Sequence, residues 1–324
     1  MTRAALDCYL FDMSGIAVSI LTNERDHPPP EGHPENVSRL SLIKAELESR
    51  LAKGTFEPLE VSIHGAEPIK RTHNPAYVDW VQQLSTRGDA FLDPDTYVTP
   101  RSFKGACDVV DHCLSGVDAI MSGAKSSVFV LGRPPGHHAL ADHAMGFCIF
   151  NNTAIAAQYA IDHHRVGRVA IVDFDVHHGN GTQALFYERA DVFYCSCHRY
   201  PFYPGTGDSG EKGRGKGRGY TLNCPLAAGD GDSEIVSAVR DTFCPAVAEF
   251  NPELLIVSAG FDAHRNDPLG GLRVTGDGYR QIGRALKSLA EDECQGRILS
   301  VLEGGYDPRG NLESITAYLE GLAN

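Results

Sequence analysis

Short apolar runs alternate along the chain with longer stretches in which apolar residues recur every three or four positions. Ser127–Leu131, Val169–Val172, Val192–Tyr194, Leu254–Ser258 and Ile298–Leu302 are brief, rich in β-branched residues and apolar at successive positions. Strands covered on both faces of a parallel sheet carry this pattern. Helical spacing joins Ala106, Val109, Val110, Cys113, Leu114, Val117 and Ile120, and again Ile235, Val239, Phe243, Val247 and Phe250. Pro34–Lys53, Asn152–His163, Gly278–Ala290 and Leu312–Leu322 also read as helices, and the opening segment through Ile20 as a first strand with its turn. The alternation predicts an α/β fold: an open, mostly parallel β-sheet with helices on both faces. Two stretches, His27–Pro34 and the Gly- and Pro-rich His198–Gly219, read as irregular. An ordered loop as long as the second is usually functional.

No linker divides the 324 residues, so residues 1–324 are read as one domain. The 29 Lys and Arg against 42 Asp and Glu leave a net charge of −13, which argues against direct nucleic-acid binding. No apolar run approaches the ~18–20 residues of a membrane span, and Asp7 and Asp12 interrupt what would be a signal-peptide core. The nine cysteines include no C-x-x-C pair, only Cys195-x-Cys197. The expectation is a reducing, cytoplasmic setting without a membrane partner. GEKGRGKGRG (Gly210–Gly219) lacks the spacing of a phosphate loop and follows no strand, so it reads as a loop.

Ligands of an open parallel sheet bind beyond the carboxyl ends of its strands. There the chain places Arg133–His138, Asp173–Asn180, Cys195–His198, Ala259–His264 and Glu303–Tyr306. Alternation along an extended strand would put Asp173, Asp175 and His177 on one side. Asp175 and His177, completed by Asp262, offer the three ligands and open position of a catalytic zinc. An isolated D-x-H would more simply cap a helix; here it has a third acid and the paired His137 and His138 for company. Imidazoles suit acid–base work near neutral pH. Tyr306, on a Gly-Gly turn, can donate to a developing oxyanion. His163–His164, at a helix end, is left as a surface pair.

RPPGHHA (Arg133–Ala139), GFCIFNN (Gly146–Asn152), DFDVHHGNGTQ (Asp173–Gln183), YPGTGD (Tyr203–Asp208), SAGFDAH…DPLGG (Ser258–Gly271) and LEGGY (Leu302–Tyr306) together resemble the zinc-dependent histone deacetylase family, with its arginase–deacetylase fold. HHGN and LEGGY look more like the class II and bacterial amidohydrolase branch. The resemblance implies zinc on Asp175, His177 and Asp262, and His137 and His138 as a tandem acid–base pair. It implies Asp173 orienting His137, Asn180 facing the second histidine where class I members have an acid, and Tyr306 at the oxyanion. Gly146, Phe147 and Tyr203 would line a narrow tunnel, with Leu269 and Asp95 at its rim. A structural potassium ion would involve Asp173, Asp175, His177 and Ser196. Arg39 matches an arginine near the acetate-exit pocket. Three departures stand out: Val37 replaces a proline of the HPE-x-P-x-R pattern, the stretch before His33 differs from the family's usual short opening, and Tyr203 stands where the family usually has phenylalanine.

The implied activity is zinc-dependent hydrolysis of N-acyl amides, most simply removal of acetyl from lysine in peptides or proteins. Acetylated polyamines are an alternative substrate with the same tunnel chemistry; Leu269 looks like the apolar rim residue of peptide deacetylases. A two-manganese ureohydrolase would need a D-x-H-x-D acid where Gly179 stands. An acyl-lysine binding module with a decayed site would lack ligands that are all present. Whether the chain forms a homo-oligomer is left open.

Overall fold

The computed structural model describes residues 15–21 and 27–324. Asp7, Asp12 and Cys8 lie outside that range; the other eight cysteines are free thiols. The strands are β1 (Ile16–Ile20), β2 (Glu57–Pro58), β3 (Ala90–Phe91), β4 (Tyr97–Val98), β5 (Ser127–Leu131), β6 (Val169–Asp173), β7 (Val192–Arg199), β8 (Thr221–Leu226), β9 (Leu254–Ala259) and β10 (Ile298–Leu302). Eight of them form one sheet in the order β2-β1-β5-β10-β9-β6-β7-β8, and every neighbouring pair is parallel. The helices are α1 (Ser41–Ala52), α2 (Glu67–Thr72), α3 (Pro75–Ser85), α4 (Ser102–Met121), α5 (Asn152–His164), α6 (Asn180–Phe186), α7 (Asp232–Ser237), α8 (Cys244–Phe250), α9 (Gly276–Cys294) and α10 (Pro308–Ala323).

Side-chain alternation divides each strand between two cores. Val128, Val130, Ile171, Ile256 and Leu299 pack with Val109, Val117, Ala157 and Phe186 of α4, α5 and α6. Phe129, Leu131, Val172, Val257 and Leu302 pack with Leu47, Ile282, Leu286 and Tyr318 of α1, α9 and α10. Each such aliphatic or aromatic side chain contributes roughly 1.5–3 kcal/mol. The strands therefore need no polar face. A smaller cluster seats α2, α3 and the antiparallel β3–β4 pair on the outer side of α4, through Ile69, Tyr77, Val81 and Val98.

The structure corrects the predicted elements in several places. Residues 34–36 are not helical; Val37–Leu40 is a 3-10 turn, capped by Asn36 accepting from Ser38 N–H, and the α-helix starts at Ser41. Residues 235–250 are two helices joined by a π segment, Ala238–Phe243, that ends just before Pro245, which has no N–H to continue an i−4 ladder. β7 does not stop at Tyr194. It runs to Arg199 because β8, unforeseen in the sequence, pairs with it from Tyr194↔Thr221 to Arg199↔Leu226. Cys195–His198 therefore lie within a strand rather than beyond one, and the irregular loop begins after Arg199.

A buried ion cluster fastens the N-terminal segment beneath the ends of β5 and β10. Arg133 reaches both oxygens of Glu35, through Nε at 2.7 Å and Nη2 at 2.6 Å, and Arg39 Nε donates to Glu35 Oε1 at 3.2 Å. Arg39 also donates to the carbonyls of Gly305 and Glu303, at 3.0 and 3.1 Å. His27 stacks on Tyr97 in this cluster, with ring centroids 4.3 Å apart. Burial, opposed by Glu35 and assisted by Arg133, lowers its pKa to about 3. His73 bridges two loops: Nδ1 donates to Leu140 C=O and Nε2 accepts from Asn151 N–H, each at 2.8 Å. Burial lowers its pKa to about 4.

Both histidines titrate lower in the folded than in the unfolded chain, so unfolding takes up protons as soon as pH drops below about 6.5. Stability should fall by up to about 1.4 kcal/mol per pH unit for each, between pH 6.5 and the folded values. Urea denaturation of the wild type and of His73→Gln at pH 7 and pH 5 separates this from buried carboxyls such as Asp262, whose raised pKa works in the opposite direction; an unchanged pH dependence in the variant would contradict the assignment of a buried neutral imidazole.

Candidate active site

β5, β10, β9 and β6 are consecutive in the sheet. The segments after these four strands therefore converge, although more than a hundred residues of chain separate the first from the last. They bring His137 and His138, Tyr306, Asp262, and Asp175 with His177 to one place.

His177 Nδ1 lies 3.0 Å from Asp262 Oδ2 and 3.2 Å from Asp175 Oδ1. One ligand atom from each of the three residues falls within 4.8 Å of the others. The strand ends at Asp173, so alternation is not what aims them. Two successive side-chain turns do so: Asp173 Oδ1 accepts from Asp175 N–H at 3.1 Å and Asp175 Oδ1 from His177 N–H at 2.9 Å. Backbone donors from neighbouring loops hold both acids, Gly304 N–H to Asp175 at 2.8 Å and Val176 N–H to Asp262 at 2.8 Å. A Cβ on Gly304 would overlap both carboxylates, so only glycine admits them here. Asp175 and Asp262 are fully buried. Burial and the Asp175 charge push the Asp262 carboxyl above the usual range; His137 and His177 overcome burial at Asp175 and keep it ionised. Two adjacent buried carboxylates with an imidazole, in an N,O,O set, are donors suited to a divalent cation such as zinc.

The tandem histidines stand with ring centroids 4.1 Å apart. His137 Nδ1 donates to Asp173 Oδ2 at 3.0 Å, and Tyr194 OH donates to the same oxygen at 3.0 Å. Burial opposes a charge on His137, but Asp175 and Asp173 outweigh it and raise its pKa to about 10. His138 Nδ1 donates to Asn180 Oδ1 at 2.7 Å, which leaves Nε2 without its proton. Burial, then the charges of His137 and His177, lower the His138 pKa well below the ordinary value. Asn180 begins α6, and its amide contributes no charge that would reverse this.

A pocket of about 190 Å³ opens onto these groups, lined by Asp95, His138, Gly146, Phe147, His177, Phe202, Tyr203, Leu269 and Tyr306. Gly146 has φ +56°, and a Cβ there would overlap the His138 ring. Tyr203 meets His138 edge-on at 5.3 Å, and Phe147 meets Tyr306 edge-on at 5.8 Å. Burial pushes the Tyr306 phenol well above its ordinary pKa, so it stays protonated. Asp267 accepts the N–H groups of Tyr306 at 2.7 Å and Leu269 at 2.9 Å, joining the two loops. All the tunnel residues singled out in the sequence line this pocket. Asp173 and Ser196 pair in register across β6 and β7, with Ser196 Oγ 2.8 Å from His198 Nδ1.

The sequence reading did not pick out Phe202, Asp267 or Glu303. Phe202 stacks on His177 with centroids 5.4 Å apart, and the Arg199 guanidinium lies 4.0 Å over its ring. The run Tyr-Pro-Phe-Tyr-Pro carries three aromatic residues, and the pocket wall uses two of them, Phe202 and Tyr203. Asp267 and Glu303 lay inside quoted motifs, but their work is on backbone N–H groups, which no side-chain pattern reveals.

The profile of the histone deacetylase domain matches residues 33–322. A probable deacetylase of Methanothermobacter thermautotrophicus is 41% identical over 296 residues, which is 90% of this chain and 86% of that protein. The histone deacetylase-like amidohydrolase of Pseudomonas aeruginosa is 36% identical over 280 residues, 86% of this chain and 74% of that one. A crystal structure of the HDA15 HD domain superposes with a TM-score of 0.90 at 37% identity, covering 96% of this chain and 88% of the other. Since the family match covers seven of the eight strands of the sheet and every loop that builds the pocket, the chain belongs to the histone deacetylase family.

Proposed function

We propose that the protein is a zinc-dependent deacetylase that hydrolyses acyl-lysine side chains in peptides or proteins. The observation that carries this reading is the meeting of Asp175, His177 and Asp262 at the foot of a pocket faced by the proton-free Nε2 of His138 and the phenol of Tyr306. Bound by those three residues, zinc would supply Lewis-acid polarisation of the amide carbonyl and of water. Asp173, Asp175, His177 and Ser196 offer carboxylate, carbonyl and hydroxyl oxygens that suit a potassium ion, and we include it in the proposal.

His138 Nε2 takes a proton from water as its oxygen bonds to the acyl carbon. Tyr306 donates to the oxygen on which negative charge develops. As the C–N bond breaks, a histidine returns the proton to the leaving nitrogen, giving carboxylic acid and amine, which leave at neutral pH as carboxylate and ammonium. Asp173 holds His137, and Asn180 holds His138, in the orientation the transfer needs. Gly146, Phe147, Phe202 and Tyr203 confine an extended acyl-amine and keep bulk water from the reacting atoms.

Asp95 at the rim gives acetylpolyamines a point of attraction, and they form the second reading. Zinc-loaded protein assayed on acetyl-lysine peptides and acetylspermidine separates the two. Faster turnover of the peptide is expected; preference for acetylspermidine would reverse the order. Tight peptide binding without acetate release would instead favour a binding module.

A further inference from the structure

Glu303 takes no part in the proton transfers above, yet its carboxylate is wholly buried between the two loops that carry them. It follows β10 directly and precedes Tyr306 by three residues. Its own backbone is clamped: the N–H donates to Ala259 C=O at 3.0 Å, and the C=O accepts from Arg39 Nη2 at 3.1 Å. From that fixed point Oε2 accepts the N–H groups of Gly136 at 2.6 Å and His137 at 3.1 Å. Oε1 is buried without a hydrogen-bond partner.

We propose that Glu303 is a positioning residue, which sets both imidazoles of the tandem pair by holding the backbone N–H groups of Gly136 and His137. The catalytic readout of this role rests on the deacetylase reading above. The rest of the turn is held by its carbonyls. Asn152 Nδ2 donates to Pro134 C=O at 3.2 Å, Ala139 N–H to Gly136 C=O at 3.0 Å, and Thr182 N–H to His137 C=O at 3.1 Å. The donors on its other side converge on Glu303. Gly136 is seated so closely that a Cβ would overlap the backbone of Asn152, so the turn has little room to settle elsewhere. His137 and His138 leave this turn in succession, and a displacement of its backbone moves both rings relative to Asp173 and Asn180. Glu303 thereby couples the histidine loop to the loop of Tyr306, so that base and oxyanion donor share one rigid post. Two N–H groups require an acceptor oxygen, not a charge, and this sets the pattern expected of variants.

Glu303→Gln keeps a carbonyl oxygen for both donors; Glu303→Ala leaves them unpaired; Glu303→Asp keeps the carboxylate but withdraws it by one methylene. On zinc-loaded protein and an acetyl-lysine peptide, E303A should lower kcat about 10- to 100-fold at nearly constant KM and unchanged zinc content, and E303D should follow it in part, because misplacement alone has effects of that size. E303Q should stay within about fivefold of wild type, the conservative rescue expected of a positioning oxygen. A merely structural role would lower melting temperature and active fraction while kcat per zinc-loaded site stayed constant. Wild-type kcat in E303A, or E303Q as impaired as E303A, would overturn the proposal; if E303A does not fold, E303D and E303Q decide it. If the wild type cleaves no acylated substrate, the deacetylase reading fails separately. The imidazole NMR resonances of His137 and His138 then carry the test: displaced in E303D and restored in E303Q supports the role, and unmoved in E303D refutes it.

Discussion

His138→Ala should slow hydrolysis of an acetyl-lysine peptide by about two to four orders of magnitude, the range over which a positioned general base acts. The size follows from how completely the structure commits this ring. Asn180 Oδ1 accepts a hydrogen bond from Nδ1–H at 2.7 Å, so in the neutral ring Nε2 keeps a free lone pair. Burial and two neighbouring imidazoles hold the ring neutral, so the base is present in its reactive form around pH 7. His137 does not replace it: its Nδ1 is tied to Asp173, and the carboxylates around it favour its protonated form. The ring lies at the pocket wall beside Gly146 and Tyr203, outside the two main hydrophobic cores. Folding and zinc uptake should therefore survive the substitution. The measurement is kcat per bound zinc, with melting temperature as the control. A variant that is folded, zinc-loaded and as fast as wild type would remove His138 from its assigned role.

The cluster of Asp175, His177 and Asp262 and the tandem histidines were legible because each motif sits where a strand stops, and strand ends show in the hydropathy pattern. What was not legible depended on partners distant in sequence. β7 gains its last residues from β8, whose six residues, Thr-Leu-Asn-Cys-Pro-Leu, carry no continuous apolar run. The 3-10 turn before α1 exists because Glu35 and Arg39 are drawn into a buried cluster with Arg133, from the loop after β5. The expectation that Asp173, Asp175 and His177 share a strand face named residues that the structure does bring together, but for an incomplete reason. The strand ends at the first of them, and side-chain turns carry the chain onward. Glu303 was visible only as a letter in a motif, since its two partners are backbone groups some 167 positions away.

Asp262→Asn should raise the melting temperature of the metal-free protein while abolishing its gain on adding zinc. Asp175 and Asp262 are both fully buried, and both come within about 3 Å of the same imidazole nitrogen. Burial and the neighbouring charge lift the folded pKa of Asp262 above its unfolded value. A group raised in this way favours the folded state below its unfolded pKa and loses that contribution as pH rises through the folded one, so near pH 8 the metal-free protein carries the cost of an ionised Asp262 beside Asp175, which the His177 imidazole, its own pKa raised to about 9, offsets only in part. Asparagine keeps the oxygen that accepts Val176 N–H and removes one of those charges, which should be worth a few kcal/mol and several degrees. In the wild type a divalent cation relieves the same repulsion, and zinc at a thousand times its dissociation constant should stabilise by about 4 kcal/mol. The two effects share one origin, so they should not add. Thermal melts of wild type and variant, with chelator and with zinc at pH 8, form the full square. If the chelated variant melts below the chelated wild type, or still gains from zinc as the wild type does, these carboxylates are not a site strained toward a cation, and the pocket's chemistry must be sought in other residues.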